Sequence, residues 1–406
     1  MRIHLIAIGG SAMHNLAIAL HCNDHTVTGS DDEIYNPAKD RLAVHGLLPI
    51  TMGWNPDRIK SGIDLVILGM HARKDNPELK RAKSLGLKIR SYPAFLYEHS
   101  KDKKRIVVAG SHGKTSTTSM IMHVLKELQY DYDYMVGAQL AGFDTMVRLS
   151  DAPIMVIEGD EYLSSPIDRR PKFLHYKPDI AIITGIAWDH INVFPTFKNY
   201  VLQFELFLKS MQKTGSVYYY KHDKNLKKLA KAYKGKATLL AYESFEFEYQ
   251  NNKTVLTTSA GKNFKLNIFG KHNLENLKAA WLVCAELGID ATRFFKSIRS
   301  FKGAAKRLQL LRKKNGASVY LDFAHAPSKV AATVAALKAK EKSKKLVACL
   351  ELHTFSSLNR KFLKEYKGSM EKADKAIVYF SEHTLAMKKL PTIITLKTIW
   401  NIYGFS

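Results

Sequence analysis

Only three cysteines occur in this 406-residue chain, Cys22, Cys284 and Cys349. They are far apart and odd in number, so no disulfide framework is expected, and the thiols read as those of a reduced, cytoplasmic protein. No apolar run approaches the ~20 residues that a membrane-spanning helix needs. The chain enters its first strand without a basic leader or a cleavage site, so secretion is not expected either. Acidic residues are scarce too: 37 Asp and Glu stand against 62 Lys and Arg, a formal net charge of +25. Such an excess fits a nucleic-acid partner, a polyanionic small substrate such as a nucleotide sugar with a triphosphate, or lysines spread over solvated faces. Lys221 to Lys231 reads as an exposed helix and Lys338 to Lys345 as a surface turn, which favours the last. With no aromatic-interleaved basic stripe and no nucleic-acid motif, the expected partners are small molecules, not nucleic acid or membrane. Repeats, low-complexity segments and long linkers are also lacking. A 46% hydrophobic, 24% charged composition is globular, and the length allows two or three domains.

What is present centres on Arg105-Ile-Val-Val-Ala-Gly-Ser-His-Gly-Lys-Thr-Ser-Thr-Thr. An apolar strand ends at Gly110, Gly113-Lys114-Thr115 follows, and Met120, Ile121, Val124, Leu125 and Leu128 then mark one face of a helix. A strand, a glycine loop and a helix N-terminus form a phosphate cradle. Backbone N–H groups hold phosphate oxygens, the lysine neutralises charge and the threonine hydroxyl ligates Mg²⁺, which implies use of a nucleoside triphosphate. The loop is shorter than the general pattern, since Val108 stands where that pattern has its first glycine. The alternative is a chance Gly-Lys-Thr in an ordinary strand-to-helix turn.

Residues 1–100 read as a Rossmann-like domain, with strands at His4–Ile8, Thr26–Thr28 and Asp64–Leu68. Its first turn, Ala7-x-Gly9-Gly10-x-x-Met13, suits either a nucleotide diphosphate or a plain tight turn. Residues 101–297 read as a central P-loop domain. There Ile154–Glu158 runs into Gly159-Asp160-Glu161, and Asp179–Thr184 precedes Trp188-Asp189-His190. Acids and a histidine after parallel strands lie where α/β sheets bind ligands; singly, each is better explained as a surface carboxylate, a cap or a hydrogen-bonded core histidine, and it is their joint placement after strands of one P-loop domain that favours a site. The alternation in Phe245–Tyr249 and Thr254–Thr257 marks a small antiparallel insert over residues 235–268. Leu274, Leu277, Trp281 and Cys284 then mark a helix stopped by Gly288, with Asn273 where an N-cap would stand. Residues 298–406 read as a third, Rossmann-like α/β unit, with strands at Val319–Leu321, Leu346–Leu350 and Ala376–Phe380. The expected fold class is three-domain α/β.

Taken in order, Ile8-Gly9-Gly10-Ser11-Ala12-Met13, Asp75-Asn76-Pro77-Glu78, Gly110-Ser-His-Gly-Lys-Thr115, Glu158-Gly-Asp-Glu161, Asp189-His190, Gly270-Lys-His-Asn-Leu-Glu-Asn276, Arg307 and Asp322-Phe-Ala-His-Ala-Pro327 resemble the Mur ligases. The resemblance runs from the start of the chain to about residue 360. It implies an ATP-dependent enzyme of peptidoglycan metabolism that joins an amino acid or peptide to UDP-N-acetylmuramate through an acyl phosphate. The Asp168-Arg-Arg-Pro-Lys172-Phe-Leu-His-Tyr-Lys-Pro178 and Leu350-Glu351-Leu-His353 segments look like the murein peptide ligases, whose acceptor is the tripeptide L-Ala-γ-D-Glu-meso-diaminopimelate. L-alanine is the other acceptor in the family that is joined to free UDP-N-acetylmuramate. An inactive nucleotide-sugar-binding remnant, a simple P-loop phosphotransferase and a basic nucleic-acid module are the readings from other classes. Two stretches depart from the family. Ala7 replaces the first turn glycine, and Thr395–Ser406 matches no family segment, so a shortened third domain is expected.

The resemblance also distributes roles. Gly110, Ser111, His112, Gly113, Lys114, Thr115 and Ser116 are implied to hold the phosphates of ATP. Asn273 and Asn276 are implied on its adenine side, and Arg307 and Asp322 from the third domain. Lys114, His190 and Arg307 are the implied catalytic residues, with Thr115, Glu158 and His190 on Mg²⁺. Gly9, Gly10, Ser11, Met13, Asp31, His71 and Asn76 are candidates for the UDP-sugar. Arg169, Arg170, His325 and His353 are candidates for the peptide carboxylates, the two arginines alternatively forming a solvated basic loop. A monomer or weak dimer is expected.

Overall fold

The structure is a computed structural model that describes residues 1–381 except 251, 252, 258–260, 262, 306 and 355. The expected Thr395–Ser406 departure, and Lys306 beside Arg307, lie outside the described residues.

The N-terminal sheet is parallel, in the order β2-β1-β3-β4, from β1 (Arg2–Ile6), β2 (Thr26–Ser30), β3 (Leu65–Leu68) and β4 (Ile89–Ser91). Every residue of β3 is buried, as expected of a strand covered on both faces by helices. Those helices are α1 (Ser11–His21), α2 (Ala38–Val44), α3 (Pro77–Ser84) and α4 (Tyr92–Ser100). β1 stops two residues short of the expected end because Ala7, wholly buried, turns the chain at φ 68°. Its glycine-like conformation costs an alanine about 1–2 kcal/mol, so Ala7 takes at a cost the left-handed turn that a glycine takes without one.

The central sheet has the order β11-β10-β9-β5-β8-β6-β7. Its strands are β5 (Lys104–Ala109), β6 (Asp133–Met135), β7 (Val147–Arg148), β8 (Ile154–Glu158), β9 (Ile180–Ile183), β10 (Ser216–Tyr220) and β11 (Thr238–Tyr242), with only β6 and β7 antiparallel. Its helices include α5 (Lys114–Glu127), α6 (Phe197–Lys209) and α7 (Lys224–Ala232), the lysine-rich one, which buries only Leu226. The antiparallel insert is β12 (Glu246–Gln250), β13 (Lys253–Thr257) and β14 (Asn263–Leu266). Residues 238–242 do not belong to it, contrary to the sequence reading: they pair in parallel with β10 as the edge of the main sheet. α8 (Lys271–Glu286) packs on α5, followed by α9 (Ala291–Ile298). Gly270, not Asn273, caps α8; Asn273 sits one turn in and donates to the Phe269 carbonyl at 3.0 Å.

The third unit holds the hairpin β15 (Gln309–Lys314) and β16 (Ala317–Leu321), then α10 (Pro327–Lys340) and the parallel pair β17 (Val347–Glu351) and β18 (Lys375–Tyr379). Lys338 and Lys340, expected in a turn, form the last turn of α10. The chain is thus a three-domain α/β protein with parallel sheets at its core. No helix among the described residues is long and apolar enough to cross a membrane.

Candidate functional site

A cavity of about 790 Å³ opens where all three units meet. The loop between β5 and α5 forms its floor. Gly110 has φ +123°, and a Cβ there would lie 2.2 Å from the Thr184 hydroxyl. Gly113 has φ +72°, and a Cβ there would lie 2.2 Å from Asn276 Oδ1. Neither position accepts a larger residue, since sterics and backbone conformation both forbid it. The loop delivers Lys114 and Thr115 as the first residues of α5, at the positive end of a 14-residue helix. Ser111, His112, Gly113 and Ser116 line the cavity with them, as do Asn273 and Asn276.

Lys114 Nζ donates to the Gly110 carbonyl at 2.8 Å and to Glu161 Oε2 at 2.6 Å. Burial pushes the ammonium pKa down, but Glu161, Asp160 and Glu158 outweigh it and raise the pKa, so the lysine stays charged. Glu161 is buried, and its other oxygen accepts from Tyr200 O–H at 2.9 Å. Tyr200 in turn lies 2.7 Å from Ser111 Oγ, so the phosphate loop and its acid are tied through one phenol. Glu161 stands within the Glu158-Gly-Asp-Glu161 motif, whose sequence alone assigns it no role.

Thr115 O–H donates to Glu158 Oε1 at 2.8 Å, and Gly137 N–H donates to Oε2 at 2.6 Å. A hydroxyl and a carboxylate side by side at a phosphate loop suit a hard cation that completes its shell with phosphate oxygens and water, as Mg²⁺ does. Among the described residues no three His, Cys, Asp or Glu side chains gather as a self-sufficient metal site, so phosphate would have to share the coordination. His190 lines the same cavity, but its Nε2 is 3.7 Å from Glu161 Oε1, and its backbone takes φ 52°.

The third unit contributes Arg307, whose Nη2 donates to Thr115 Oγ1 at 3.4 Å. Asp322 holds the arginine's loop in place by accepting from Leu308 N–H at 2.7 Å, and the guanidinium lies 5.3 Å from the Phe323 ring centre. Burial raises the Asp322 pKa; the Leu308 hydrogen bond and Arg307 oppose it.

From the first unit, Gly10, Ser11, Met13 and His71 line the cavity. Gly9 and Asp31 lie just behind, Gly9 N–H donating to Asp31 Oδ2 at 2.7 Å. Burial pushes the Asp31 carboxyl up to about 7, and the neighbouring Asp32 adds to this. Its unfolded value is near 4, so its contribution to stability is full below about pH 4 and is lost as pH rises through about 7. Asp31→Asn, which stays neutral, should therefore gain melting temperature relative to the parent as pH is raised across that window; a constant difference would contradict the assignment.

Several sequence candidates stand elsewhere. Asn76 is buried outside the cavity and caps α3, accepting from Leu79 N–H at 3.0 Å. Arg169 is exposed, and Arg170 is exposed and paired with Asp168 at 2.7 Å, so the solvated-loop alternative describes both. From the same basic segment, Lys172 does reach the cavity, donating to Asp160 at 2.6 Å. His325 lines the cavity; His353 does not, its ring centre standing 6.2 Å from that of His325. His272, which the sequence does not single out, also lines the cavity; burial lowers its pKa to about 4.

Comparison with known proteins gives the architecture a lineage. Residues 2–104 match the model described as Mur ligase family, catalytic domain, residues 108–284 the Mur ligase middle domain, and residues 306–397 the Mur ligase, glutamate ligase domain. The UDP-N-acetylmuramate–L-alanine ligase of Caldicellulosiruptor bescii is 32% identical over 389 residues, covering 92% of this chain and 82% of its own. The chain belongs to the Mur ligase family. Mur ligases are ATP-dependent enzymes that form carbon–nitrogen bonds. The UDP-N-acetylmuramate–L-alanyl-gamma-D-glutamyl-meso-2,6-diaminoheptandioate ligase of Escherichia coli is 30% identical over 353 residues, covering 84% of this chain and 76% of its own. Among solved Mur ligases, the murein peptide ligase of Psychrobacter arcticus superposes with a TM-score of 0.73 at 23% identity, over 99% of this chain and 88% of its own. The UDP-N-acetylmuramate-alanine ligase of Thermotoga maritima also gives 0.73, at 22% identity, over 98% and 89%.

Proposed function

We propose that this Mur ligase joins the carboxylate of UDP-N-acetylmuramate to the amine of the tripeptide L-Ala-γ-D-Glu-meso-diaminopimelate, serving peptidoglycan recycling. The observation that carries the ligation chemistry is one cavity lined by Ser11 and His71 of the first unit, Lys114 and Glu158 of the second and Arg307 of the third. A carboxylate and an amine do not condense in neutral water, because an oxide oxygen is a poor leaving group. Attack of the carboxylate on the γ-phosphorus of ATP makes an acyl phosphate and releases ADP. The amine then adds to the acyl carbon, loses its proton, and phosphate departs from the tetrahedral intermediate.

Phosphoryl transfer depends on charge neutralisation and in-line placement more than on covalent help. Lys114 leaves Glu161 for the β- and γ-phosphates, and Arg307 reaches them from the third unit. Thr115 and Glu158 would hold Mg²⁺, which supplies charge neutralisation at the phosphates. His190, beside Glu161, faces the transferred group. Gly9, Gly10, Ser11, Met13, Asp31 and His71 serve the UDP end, and Asn273 and Asn276 the adenine. Because the residues come from different units, closing them together excludes water from the acyl phosphate.

The tripeptide is supported by the likeness of the 168–178 segment to peptide ligases and by Lys172 of that segment, which brings a cation to the cavity wall. L-alanine is the second reading, supported by the 32% identity to an alanine ligase. Incubation with ATP, Mg²⁺ and UDP-N-acetylmuramate, with L-alanine and tripeptide in competition, separates the two by product mass. The expected product carries the tripeptide; an alanine adduct alone would give the second reading.

A further inference from the structure

One cavity cation has no part in the roles above. Lys329 sits in the first turn of α10, and its side chain, 21% exposed, lines the cavity with Lys114 and Arg307. Three contacts carry this turn and the residues just before it across to the central unit. Ser328 Oγ lies 2.6 Å from His112 Nε2 in the phosphate loop. Lys329 Nζ stands 3.5 Å from Asp189 Oδ2, and His325 Nε2 stands 3.9 Å from the same oxygen. Asp189 is itself buried.

The geometry is that of a held but unsatisfied cation. Lys114 makes short bonds to Glu161 and Gly110, whereas Lys329 meets its acid only at the outer range of a hydrogen bond. Burial lowers the Lys329 pKa; Asp189 and Glu161 raise it, and Lys114 and Arg307 press it down further. Four Lys and Arg side chains, Lys114, Lys172, Arg307 and Lys329, line the cavity, and of the three lysines Lys329 has the longest contact with its acid, one that an arriving polyanion can replace. A triphosphate is such an anion, and its terminal group spreads charge over three equatorial oxygens that several donors can share.

We propose that Lys329 is a third cation for the triphosphate, carried by α10 to the terminal phosphate, with Asp189 holding the ammonium in place until the nucleotide arrives. The proposal rests on the ATP-ligase reading of this cavity. It differs from a mere latch between units, because a latch has no means of distinguishing a triphosphate from a diphosphate.

Calorimetric titration of parent, Lys329→Met and Lys329→Arg with Mg²⁺ and either a non-hydrolysable ATP analogue or ADP tests it. Loss of a charged hydrogen bond should weaken the methionine variant's binding of the triphosphate about tenfold or more, with ADP affinity unchanged and so serving as the folding control. The arginine variant should keep most of the triphosphate affinity. Equal weakening of both nucleotides would make Lys329 a latch and overturn the proposal. Unchanged nucleotide binding with a raised KM for the acceptor would assign it to the acceptor and overturn it too. Failure of the parent to bind either nucleotide would instead remove the ATP-site reading, and the proposal with it.

Discussion

Lys114→Met should lower ATP-dependent ligation by about 10³-fold or more, because it removes the charge that faces the transferred phosphoryl group. It should also destabilise the fold. The lysine's partner Glu161 is 1% exposed, and stripping one member from a buried ion pair costs roughly 3–5 kcal/mol. Tyr200 still donates to Glu161, which places the loss toward the lower end. The double variant Lys114→Met, Glu161→Gln removes both charges and should recover most of the melting temperature while recovering none of the activity. Calorimetric melting beside a phosphate-release assay reads both. A well-folded double variant that still ligates would contradict the role given to Lys114.

Arg307→Ala is the second large effect. Its guanidinium is the group that the third unit sends to Thr115, so the loss should fall on kcat, by about 10²–10³-fold, with little change in stability because the side chain stands on the cavity wall. Arg307→Lys should recover only part, since an ammonium lacks the planar fork that spans two phosphate oxygens. Asp322→Asn should give an intermediate loss, because Asp322 holds the arginine's loop through Leu308 N–H and does so best when charged. An Arg307→Ala variant with a raised KM for ATP and an unchanged kcat would show ground-state binding alone and contradict a transition-state role.

The sequence made much of this legible for physical reasons. Runs such as Leu65–Leu68 and Ile180–Ile183, short, rich in β-branched residues and buried along their whole length, fit strands covered on both sides, and their alternation with helices implies parallel sheets. Gly110 and Gly113 were readable because their backbone angles exclude other residues. Partners distant in sequence were not. His112 meets Ser328 across 216 positions, and nothing in the local pattern of either announces it. Glu161 lies three residues beyond β8, where the chain has left the regular sheet, so no periodicity says which acid of Glu158, Asp160 and Glu161 turns to Lys114. Arg169 and Arg170 carry the charge that a peptide site calls for, yet charge alone does not tell an inward face from an outward one, and Asp168 holds Arg170 outside the cavity. Thr238–Tyr242 adjoins the alternating insert in sequence and is exposed along most of its length because it is an edge, so nothing in its own pattern tells its parallel pairing from an antiparallel one.

The central claim is that a sugar acid's carboxylate meets the γ-phosphorus of ATP inside this three-sided cavity. UDP-N-acetylmuramate carrying heavy oxygen in that carboxylate, incubated with ATP, Mg²⁺ and the tripeptide, tests it most directly through the mass of the phosphate released. An acyl phosphate predicts one heavy oxygen transferred to each phosphate. Amide product formed alongside phosphate that carries none would contradict the account.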